Sequence, residues 1–544
     1  MIRAIDKLEP FQRAVSKAHL AAAGISIDAL ESRPLIAIAN SWNEICPGHE
    51  SQLKLAEDVR KGILEAGGEP VEFNTAAMCD GIAQGHKGMR YCLPHRELIA
   101  DSIEAMVVGE GVFDGIVFIG SCDKIIPGML MAAARINLPS VLVTAGPCYA
   151  EITPDDSRQL RQRFLRGEIT ERALIEGTLH YYTGSGVCPF LGTANTMGCL
   201  CEALGMMLPG GSLIPAMTSL RRFTARDSGK AVMNLVRRGI RPGDIMTPNA
   251  MHNAAVLLSA FGGSLNACLH LPALAHELGF AFGWDEIAGI SSGIPVITRI
   301  VPNGNHTVID LYKAGGVPAI LKELQDDVFC EEMTVTGRTM GENLAELPGP
   351  DGEVICSRSD PKAKAEGIRV LKGNLAPDGA LVKASAVPEE LRTFSGPAKV
   401  FDSEDECFDA LYRGEVREGD AVVIRFEGPK GGPGMREMHR VTEMLKKYRR
   451  IAVITDGRFS GATGGLSIGY LSPEAAQGGM LAFVRTGDTV SADLSAGTIT
   501  LEVSEQEIKK RRSETGAAVH KEPSAFMRRY AETVSSPREG AVLL

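Results

Sequence analysis

The sequence lacks a surplus of positive charge, a long apolar run and a dense set of cysteines. Its formal net charge of -10 argues against a nucleic-acid partner, because phosphate binding requires a clustered basic surface. No segment approaches the roughly 20 apolar residues of a membrane span, and residues 1–17 are too charged for a secretory signal. Twelve cysteines in 544 residues are too sparse for a disulfide scaffold. We therefore expect a cytoplasmic protein, with no membrane or nucleic-acid partner, whose cysteines are thiols or metal ligands.

What is present is the composition of a large globular protein. Hydrophobic residues make up 44% of the chain and charged residues 23%, a balance that is far from the composition of disordered proteins. The chain is much longer than the roughly 250 to 300 residues at which a single hydrophobic core stops growing. At least two domains are therefore expected.

Strand-like apolar runs alternate with helical stretches from about residue 35 to residue 330. The pattern predicts strands over 34–40, 115–120 and 140–145 and helices over 52–66 and 127–137. Such alternation is typical of an α/β fold with a parallel sheet. Because ligands of open α/β sheets collect at the carboxyl ends of the strands, the turn at residues 121–124 is a candidate part of a site.

A segment rich in Pro, Gly, Asp and Lys at about 345–370 predicts a domain boundary. Beyond it, short β-like segments are expected over 421–426, 451–455 and 489–494, with a helix over about 435–448. We predict an N-terminal α/β domain over 1–365 and a smaller, β-rich C-terminal domain over 366–544.

Three glycine-containing loops of the N-terminal region concentrate reactive side chains. Cys79 precedes Asp80, Cys122 precedes Asp123, and Cys188 lies in a third loop that opens onto a helix. Thiolates hold iron–sulfur clusters, and a cluster iron without a protein ligand can act as a Lewis acid. Carboxylates prefer hard ions such as Mg²⁺ or Mn²⁺. Soft and hard ligands side by side indicate two different metal centres.

A single cysteine is more often a small buried hydrophobic residue than a metal ligand. We assign that structural role to the cysteines that no acid or glycine-rich loop accompanies in the same way. These are Cys92, Cys148, Cys199, Cys201, Cys268, Cys330, Cys356 and Cys407.

A fourth group of residues lies in the predicted C-terminal domain, over 425–437 and 455–461. Its Gly-Pro-rich segment could cradle a phosphate, but it lacks the Gly-Lys-Ser/Thr ending of a P-loop. Ser460 lies in a glycine-rich turn without the Gly-x-Ser-x-Gly elbow or the His and Asp partners of a hydrolase triad. Taken alone, such a serine is usually structural.

Motifs along most of the chain resemble those of the dihydroxyacid and phosphogluconate dehydratase family. They include DGIAQGHKGM from Asp80, CDKIIPGMLMAAARINLP from Cys122 and GTANTM from Gly192. GGSLNACLHLPALA from Gly262, EGPKGGPGMRE from Glu427 and TDGRFSG follow in the family's order.

The resemblance implies an α/β domain that carries an iron–sulfur cluster, a β-barrel-like C-terminal domain that carries the catalytic serine, and a homodimer or dimer of dimers. Matched position by position, it implies Cys122 and Cys188 as cluster ligands and Ser460 as the base. It implies Asp80, Asp123 and Glu437 as ligands of a divalent ion, Mg²⁺ or Mn²⁺, with Lys124 carbamylated as a further oxygen ligand.

The chain departs from the family pattern at three places. Members with two-iron clusters have a cysteine after the proline of the Asn-Ser-Trp-Asn loop, but here Gly48 follows Pro47. We expect Cys79 to be the third thiolate, with Cys46 as the alternative, and favour a [4Fe-4S] over a [2Fe-2S] cluster. The sequence after Cys188 is closer to the sugar-acid and phosphogluconate branches, and Tyr470 replaces a histidine that many members have.

The implied activity is a hydro-lyase reaction that converts a 2,3-dihydroxy carboxylic acid into a 2-keto acid. The leading substrate is 2,3-dihydroxyisovalerate or its ethyl-bearing analogue, in branched-chain amino acid biosynthesis. A sugar acid such as gluconate or xylonate, or glycerate, is the enzymatic alternative. A non-catalytic iron–sulfur sensor is the alternative from another class.

Overall fold

The computed structural model describes residues 2–347, 349–365, 367–459, 465–514, 521 and 524–544. The chain forms two compact units, each built from three segments. Unit 1 consists of Met1–Met78, Leu98–Leu257 and Ile297–Asp360, and unit 2 of Cys79–Glu97, Leu258–Val296 and Pro361–Leu544. The division into continuous domains 1–365 and 366–544 stays a prediction.

Unit 1 contains a four-stranded, wholly parallel sheet, as the sequence predicted. Its strands are β1 (Leu35–Asn40), β2 (Glu69–Asn74), β3 (Gly115–Ile119) and β4 (Ser140–Val143), in the order β2-β1-β3-β4. Every residue of β1, β3 and β4 is buried, which explains why these strands are continuous apolar runs in the sequence. The loops after β1 and β3 leave the same edge of the sheet and carry Cys46 and Cys122.

Unit 2 contains an eight-stranded mixed sheet that is nearly closed into a barrel. Its strand order is β12-β11-β7-β8-β9-β10-β6-β5. A bridge between Lys372 and Thr498 links the end of β5 to β12 at the two edges of the sheet. The strands are β5 (Arg369–Leu371), β6 (Gly379–Val382), β7 (Thr393–Phe401), β8 (Ala421–Ile424), β9 (Ala452–Thr455), β10 (Leu466–Ser472), β11 (Thr489–Asp493) and β12 (Thr498–Leu501).

The predicted strands over 421–426, 451–455 and 489–494 are confirmed as β8, β9 and β11. The predicted helix over 435–448 is shorter, because it spans only His439–Leu445. Met435 has a positive φ of 50°, and Glu437 forms a bridge with Arg458. Both features prevent the helix from starting before residue 438.

No helix among the described residues is long and apolar enough to cross a membrane. The predicted helices over 52–66 and 127–137 are confirmed with small shifts of their ends. In chain order the α-helices are Pro10–Ala22, Ile27–Ser32, Pro47–Glu50, Gln52–Glu65, Asp80–Ala83, Pro94–Glu110, Ile125–Ile136, Pro154–Leu165, Glu171–Leu179, Thr193–Ala203, Ser219–Arg238, Pro242–Ile245, Pro248–Ala260, Ala267–Leu278, Trp284–Ser291, Val308–Lys313, Gly316–Glu323, Met340–Ala345, Glu404–Tyr412, His439–Leu445, Glu505–Glu514 and Ala525–Thr533.

Candidate functional site

Two loops at the carboxyl ends of β1 and β3 bring a pair of thiols together in unit 1. The Sγ atoms of Cys46 and Cys122 lie 3.7 Å apart. One ligand atom each from Cys46, His49 and Cys122 lies within 4.8 Å of the other two. Cys46 is buried and Cys122 is half-buried. Thiols and an imidazole suit a soft metal centre, so these three residues could hold a metal.

Backbone geometry makes this approach possible. Cys122 has a positive φ of 70°, a left-handed conformation that costs a non-glycine residue about 1–2 kcal/mol. A Cβ atom on Gly48 would lie 2.8 Å from the Sγ of Cys122. Glycine is therefore required at position 48 for the two loops to meet as they do.

His49 and Asn43 organise the loop that carries Cys46. The Oδ1 atom of Asn43 accepts hydrogen bonds from the backbone N–H of Ile45 and of Cys46, each at 3.0 Å. The Nδ1 of His49 accepts from Asn43 at 3.1 Å, and its Nε2–H donates to the carbonyl of Ser121 at 3.2 Å. These partners assign the neutral tautomer with the proton on Nε2, and they tie the Cys46 loop to the residue before Cys122.

The loop of Cys188 packs against the same region of unit 1. The N–H of Gly186 donates to the carbonyl of Pro47 at 2.9 Å. The side-chain amide of Asn195 donates to the carbonyls of Cys188 and Phe190, each at 2.7 Å. Hydrogen bonds thus hold the loops of Cys46, Cys122 and Cys188 next to one another.

Lys124 and Asp123 follow Cys122 in the turn before helix Ile125–Ile136. The lysine side chain is fully buried, and its Nζ lies 3.6 Å from Oδ2 of the half-buried Asp123. A buried lysine is unusual because desolvation penalises its charge. The position predicted to be modified is therefore one where the structure shields the side chain from water.

Most cysteines assigned to structural roles are core residues. Seven of the eight are buried, and Cys330 is half-buried. Burial raises the pKa of Cys148 to about 11 and the pKa of Cys268 to about 12, so both remain thiols at neutral pH.

In unit 2, two buried carboxylates lie close together. One oxygen of Asp80 lies within 4.8 Å of one oxygen of Glu437. Asp80 begins the one-turn helix Asp80–Ala83, directly after the half-buried Cys79. Two buried carboxylates at this distance repel each other unless a cation or proton lies nearby, and oxygen ligands of this kind suit Mg²⁺ or Mn²⁺.

Glu437 is held by a buried network that sequence reasoning missed. Its Oε1 accepts from Asn266 Nδ2 at 2.8 Å and forms an ion pair with Arg458. Burial by itself would lower the pKa of Arg458, but the charge of Glu437 leads the effects that raise it above its ordinary value. Asn266 is 171 positions from Glu437, and the family motif around it was its only signal.

The Gly-Pro-rich segment after β8 folds around two further buried acids. Asp456 accepts from the N–H groups of Phe426 and Glu427, and Glu474 accepts from those of Lys430 and Gly431. Burial raises the pKa of Asp456 to about 6 and that of Glu474 to about 7. Here acids organise the loop through its backbone N–H groups, which does not support the phosphate-cradle alternative. Ser460 lies outside the described residues.

Comparisons with known proteins agree with the motifs. The model of the Dihydroxy-acid/6-phosphogluconate dehydratase N-terminal domain matches residues 33–343, and the model of the corresponding C-terminal domain matches residues 353–541. The dihydroxy-acid dehydratase of Acetivibrio thermocellus is 47% identical over 543 residues, which cover 98% of each chain. Those of Caldicellulosiruptor saccharolyticus and Caldanaerobacter subterraneus subsp. tengcongensis are each 46% identical, over 98% of this chain and 98% and 97% of theirs. The chain therefore belongs to the dihydroxy-acid/6-phosphogluconate dehydratase family.

Proposed function

We propose that this chain is a hydro-lyase of the dihydroxy-acid dehydratase type, which converts a 2,3-dihydroxy carboxylic acid into a 2-keto acid in branched-chain amino acid biosynthesis. The observation that carries the proposal is the agreement in name among relatives 46–47% identical over nearly the full chain. A soft ligand set in unit 1 and a hard ligand set in unit 2 suit the two metal centres that such chemistry uses.

The ligands of the iron–sulfur cluster are proposed to be Cys122, Cys188 and one further thiolate. The close approach of the Cys46 and Cys122 sulfurs supports Cys46 for that third position. Cys79, the first choice from the sequence, becomes the alternative in this proposal. A [4Fe-4S] cluster stays preferred over [2Fe-2S] on the basis of the family resemblance.

The divalent ion is proposed to be Mg²⁺ or Mn²⁺, with Asp80 and Glu437 among its ligands. Two adjacent buried carboxylates fit a hard dication. The family resemblance adds Asp123 and a carbamylated Lys124 to the set. When bound, the two metal centres would supply Lewis acidity toward the oxygen atoms of the substrate.

The chain's own contribution to the reaction would be proton transfer and positioning. Ser460 would take the proton from C2, and the hydroxyl group on C3 would leave as hydroxide, which would become water when the serine returns that proton. The enol that forms would tautomerise to the keto acid. A serine needs a strongly lowered pKa for this role, because the pKa of its free hydroxyl is far above neutral. The Arg458 guanidinium, two residues away in the chain, is a buried positive charge.

The proposed assembly is a homodimer or a dimer of dimers, and the proposed location is the cytoplasm, where a reducing environment keeps cluster ligands as thiols. Light scattering of the purified protein at several concentrations measures the number of chains in the assembly.

The test of the proposed function is a substrate panel on anaerobically reconstituted protein, with Mg²⁺ and with Mn²⁺. We expect turnover of 2,3-dihydroxyisovalerate and its ethyl-bearing analogue that clearly exceeds turnover of gluconate, xylonate and glycerate. Preference for a sugar acid would transfer the assignment to the other branch of the family. A bound cluster with no dehydration of any of the five acids would support the sensor alternative.

A further inference from the structure

Glu437 is connected to a buried tyrosine through a side-chain amide. The hydroxyl of Tyr470 donates to Asn266 Oδ1 at 3.0 Å, and Asn266 Nδ2 donates to Glu437 Oε1 at 2.8 Å. Tyr470, Asn266 and Arg458 are fully buried, and Glu437 nearly so. Burial raises the pKa of Tyr470 well above its ordinary value, so the phenol keeps its proton and is a donor at all physiological pH values.

This network admits only one orientation of the Asn266 amide. Its Oδ1 accepts from Tyr470 and, at 3.0 Å, from Arg458 Nη1. If the amide were turned over, its N–H₂ group would face the Arg458 donor and its oxygen would face the Glu437 carboxylate. Both contacts would be repulsive, and an unmatched buried polar group costs about 1–3 kcal/mol. The hydroxyl of Tyr470 donates to the same Oδ1 and adds a second hydrogen bond that holds the amide in this orientation, with Nδ2 toward Glu437.

The chain is folded in an uncommon way to place this hydroxyl. Strand β10 is irregular between Gly469 and Ser472, and Tyr470 has a positive φ of 62°. Irregularities of this type turn a side chain away from the direction that regular alternation would give it. Bulky residues rarely adopt positive φ without compensation. The tyrosine ring also packs edge-on against Trp284, with ring centroids 6.4 Å apart.

We propose that Tyr470 is a positioning residue for the divalent ion: acting through Asn266, it fixes the orientation of the Glu437 carboxylate that binds the ion. Asn266 and Arg458 donate to the same carboxylate oxygen, Oε1, and thereby hold that oxygen in place. Partners of metal-binding side chains commonly act in this way. The inference rests on the proposed function only in taking Glu437 as a ligand of the ion.

The experiment is a Mn²⁺ titration of the purified full-length protein, followed by electron paramagnetic resonance of the free ion. Tyr470→Phe removes only the hydroxyl, and we expect it to weaken Mn²⁺ binding about threefold to tenfold. Asn266→Ala removes a direct partner of the carboxylate and is expected to weaken binding about 10–100-fold, the usual range for such partners. Because the tyrosine acts through the asparagine, adding Tyr470→Phe to Asn266→Ala should cause little further loss.

Tyr530→Phe is the matched control. Tyr530 is a buried tyrosine of the same unit whose hydroxyl has no hydrogen-bond partner in the part of the chain that the structure describes. The control should bind Mn²⁺ as the parent protein does, and thermal unfolding verifies that each variant is folded.

Unchanged Mn²⁺ affinity in folded Tyr470→Phe would overturn the inference, whatever the Asn266 variant does. If Tyr470→Phe weakened Mn²⁺ binding equally in the parent protein and in Asn266→Ala, the tyrosine would not act through the Asn266 amide. If the parent protein itself bound no Mn²⁺, the failure would instead lie with the divalent site of the proposed function.

Discussion

The Sγ atoms of Cys46 and Cys122 lie 3.7 Å apart although 76 positions separate the two residues in the chain. The approach depends on two parallel strands, β1 and β3, which are hydrogen-bonded neighbours and end at the same edge of the sheet. A thiol on the loop after each strand therefore reaches the other. This relationship makes Cys46, and not only Cys79, a strong choice for the third cluster ligand.

The third ligand can be identified by iron content. We expect Cys46→Ala and Cys122→Ala to lose most of the iron and sulfide of the anaerobically reconstituted protein, because each removes a thiolate that is proposed to hold the cluster. Cys79→Ala should keep most of both. Cys148→Ala is the control, since Cys148 is a buried thiol with a raised pKa. Loss of iron in Cys79→Ala with retention in Cys46→Ala would reverse the assignment.

Gly48→Ala should disturb the same centre without replacing any of its proposed ligands. The added Cβ would lie 2.8 Å from the Cys122 sulfur and 3.2 Å from a methyl carbon of Val187, so the thiol must move. We expect lower iron content after reconstitution and a loss of about 1–3 kcal/mol in the free energy of unfolding, as overpacking typically causes. Gly109→Ala is the control, because a Cβ there meets open space within a helix. Normal iron content in Gly48→Ala would show that the loops adjust freely.

The proposed modification of Lys124 predicts a dependence on carbon dioxide. Activity of protein prepared without bicarbonate should rise when bicarbonate is added, because a carbamate forms from a neutral amine and CO₂. Burial beside Asp123 supplies a place that is shielded from water. Lys124→Arg keeps the positive charge but cannot form the carbamate, so we expect it to be nearly inactive with or without bicarbonate. An active arginine variant would instead assign the lysine a role as a cation.

Apolar runs were enough to predict β1, β3, β4, β8 and β9, because strands buried on both faces need no polar alternation. In β11 buried residues alternate with more exposed ones, the period-2 pattern of a strand with one buried face. The contacts between side chains far apart in the sequence could not be predicted from such runs. Nothing in the residues near Asn266 indicates that its amide binds Glu437. The positive φ of Tyr470 falls on a bulky residue type that rarely adopts this conformation. Motif resemblance located these segments, but only the folded chain shows which atoms meet.

The start of a helix can also depend on contacts that the sequence does not reveal. The residues from Met435 to Tyr448 have helical character, yet the observed helix begins at His439. A tertiary bridge from Glu437 to Arg458 overrides local propensity before that point. The segment that the sequence could not predict is thus the one that carries a proposed metal ligand.

Ser460→Ala should separate catalysis from metal binding. If the serine is the base, the variant should keep its iron and its Mn²⁺ affinity, while turnover should fall at least about 100-fold, the lower range for loss of acid–base catalysis. Ser467→Ala, in neighbouring strand β10, is a control for loss of a hydroxyl in the same unit. Turnover close to that of the parent protein in Ser460→Ala would assign the base to another group.

The buried acids Asp456 and Glu474 should make unit 2 less stable as the pH rises. Burial raises the pKa of Asp456 to about 6 and of Glu474 to about 7, so the folded chain binds protons that the unfolded chain has already released. Their stabilising contribution is therefore fully present below about pH 4, the ordinary range of these acids, and is lost as the pH passes through 6 and 7.

The measurement is the urea midpoint of unfolding between pH 5 and pH 8. Glu474→Gln cannot ionise, so the fall in its midpoint over this interval should be smaller than in the parent protein, even if the variant is less stable at every pH. Glu505→Gln, at an exposed position at the start of helix Glu505–Glu514, should follow the parent curve. A fall of equal size in Glu474→Gln and in the parent would mean that the Glu474 carboxyl does not change its charge in this range, and that other groups set the pH dependence.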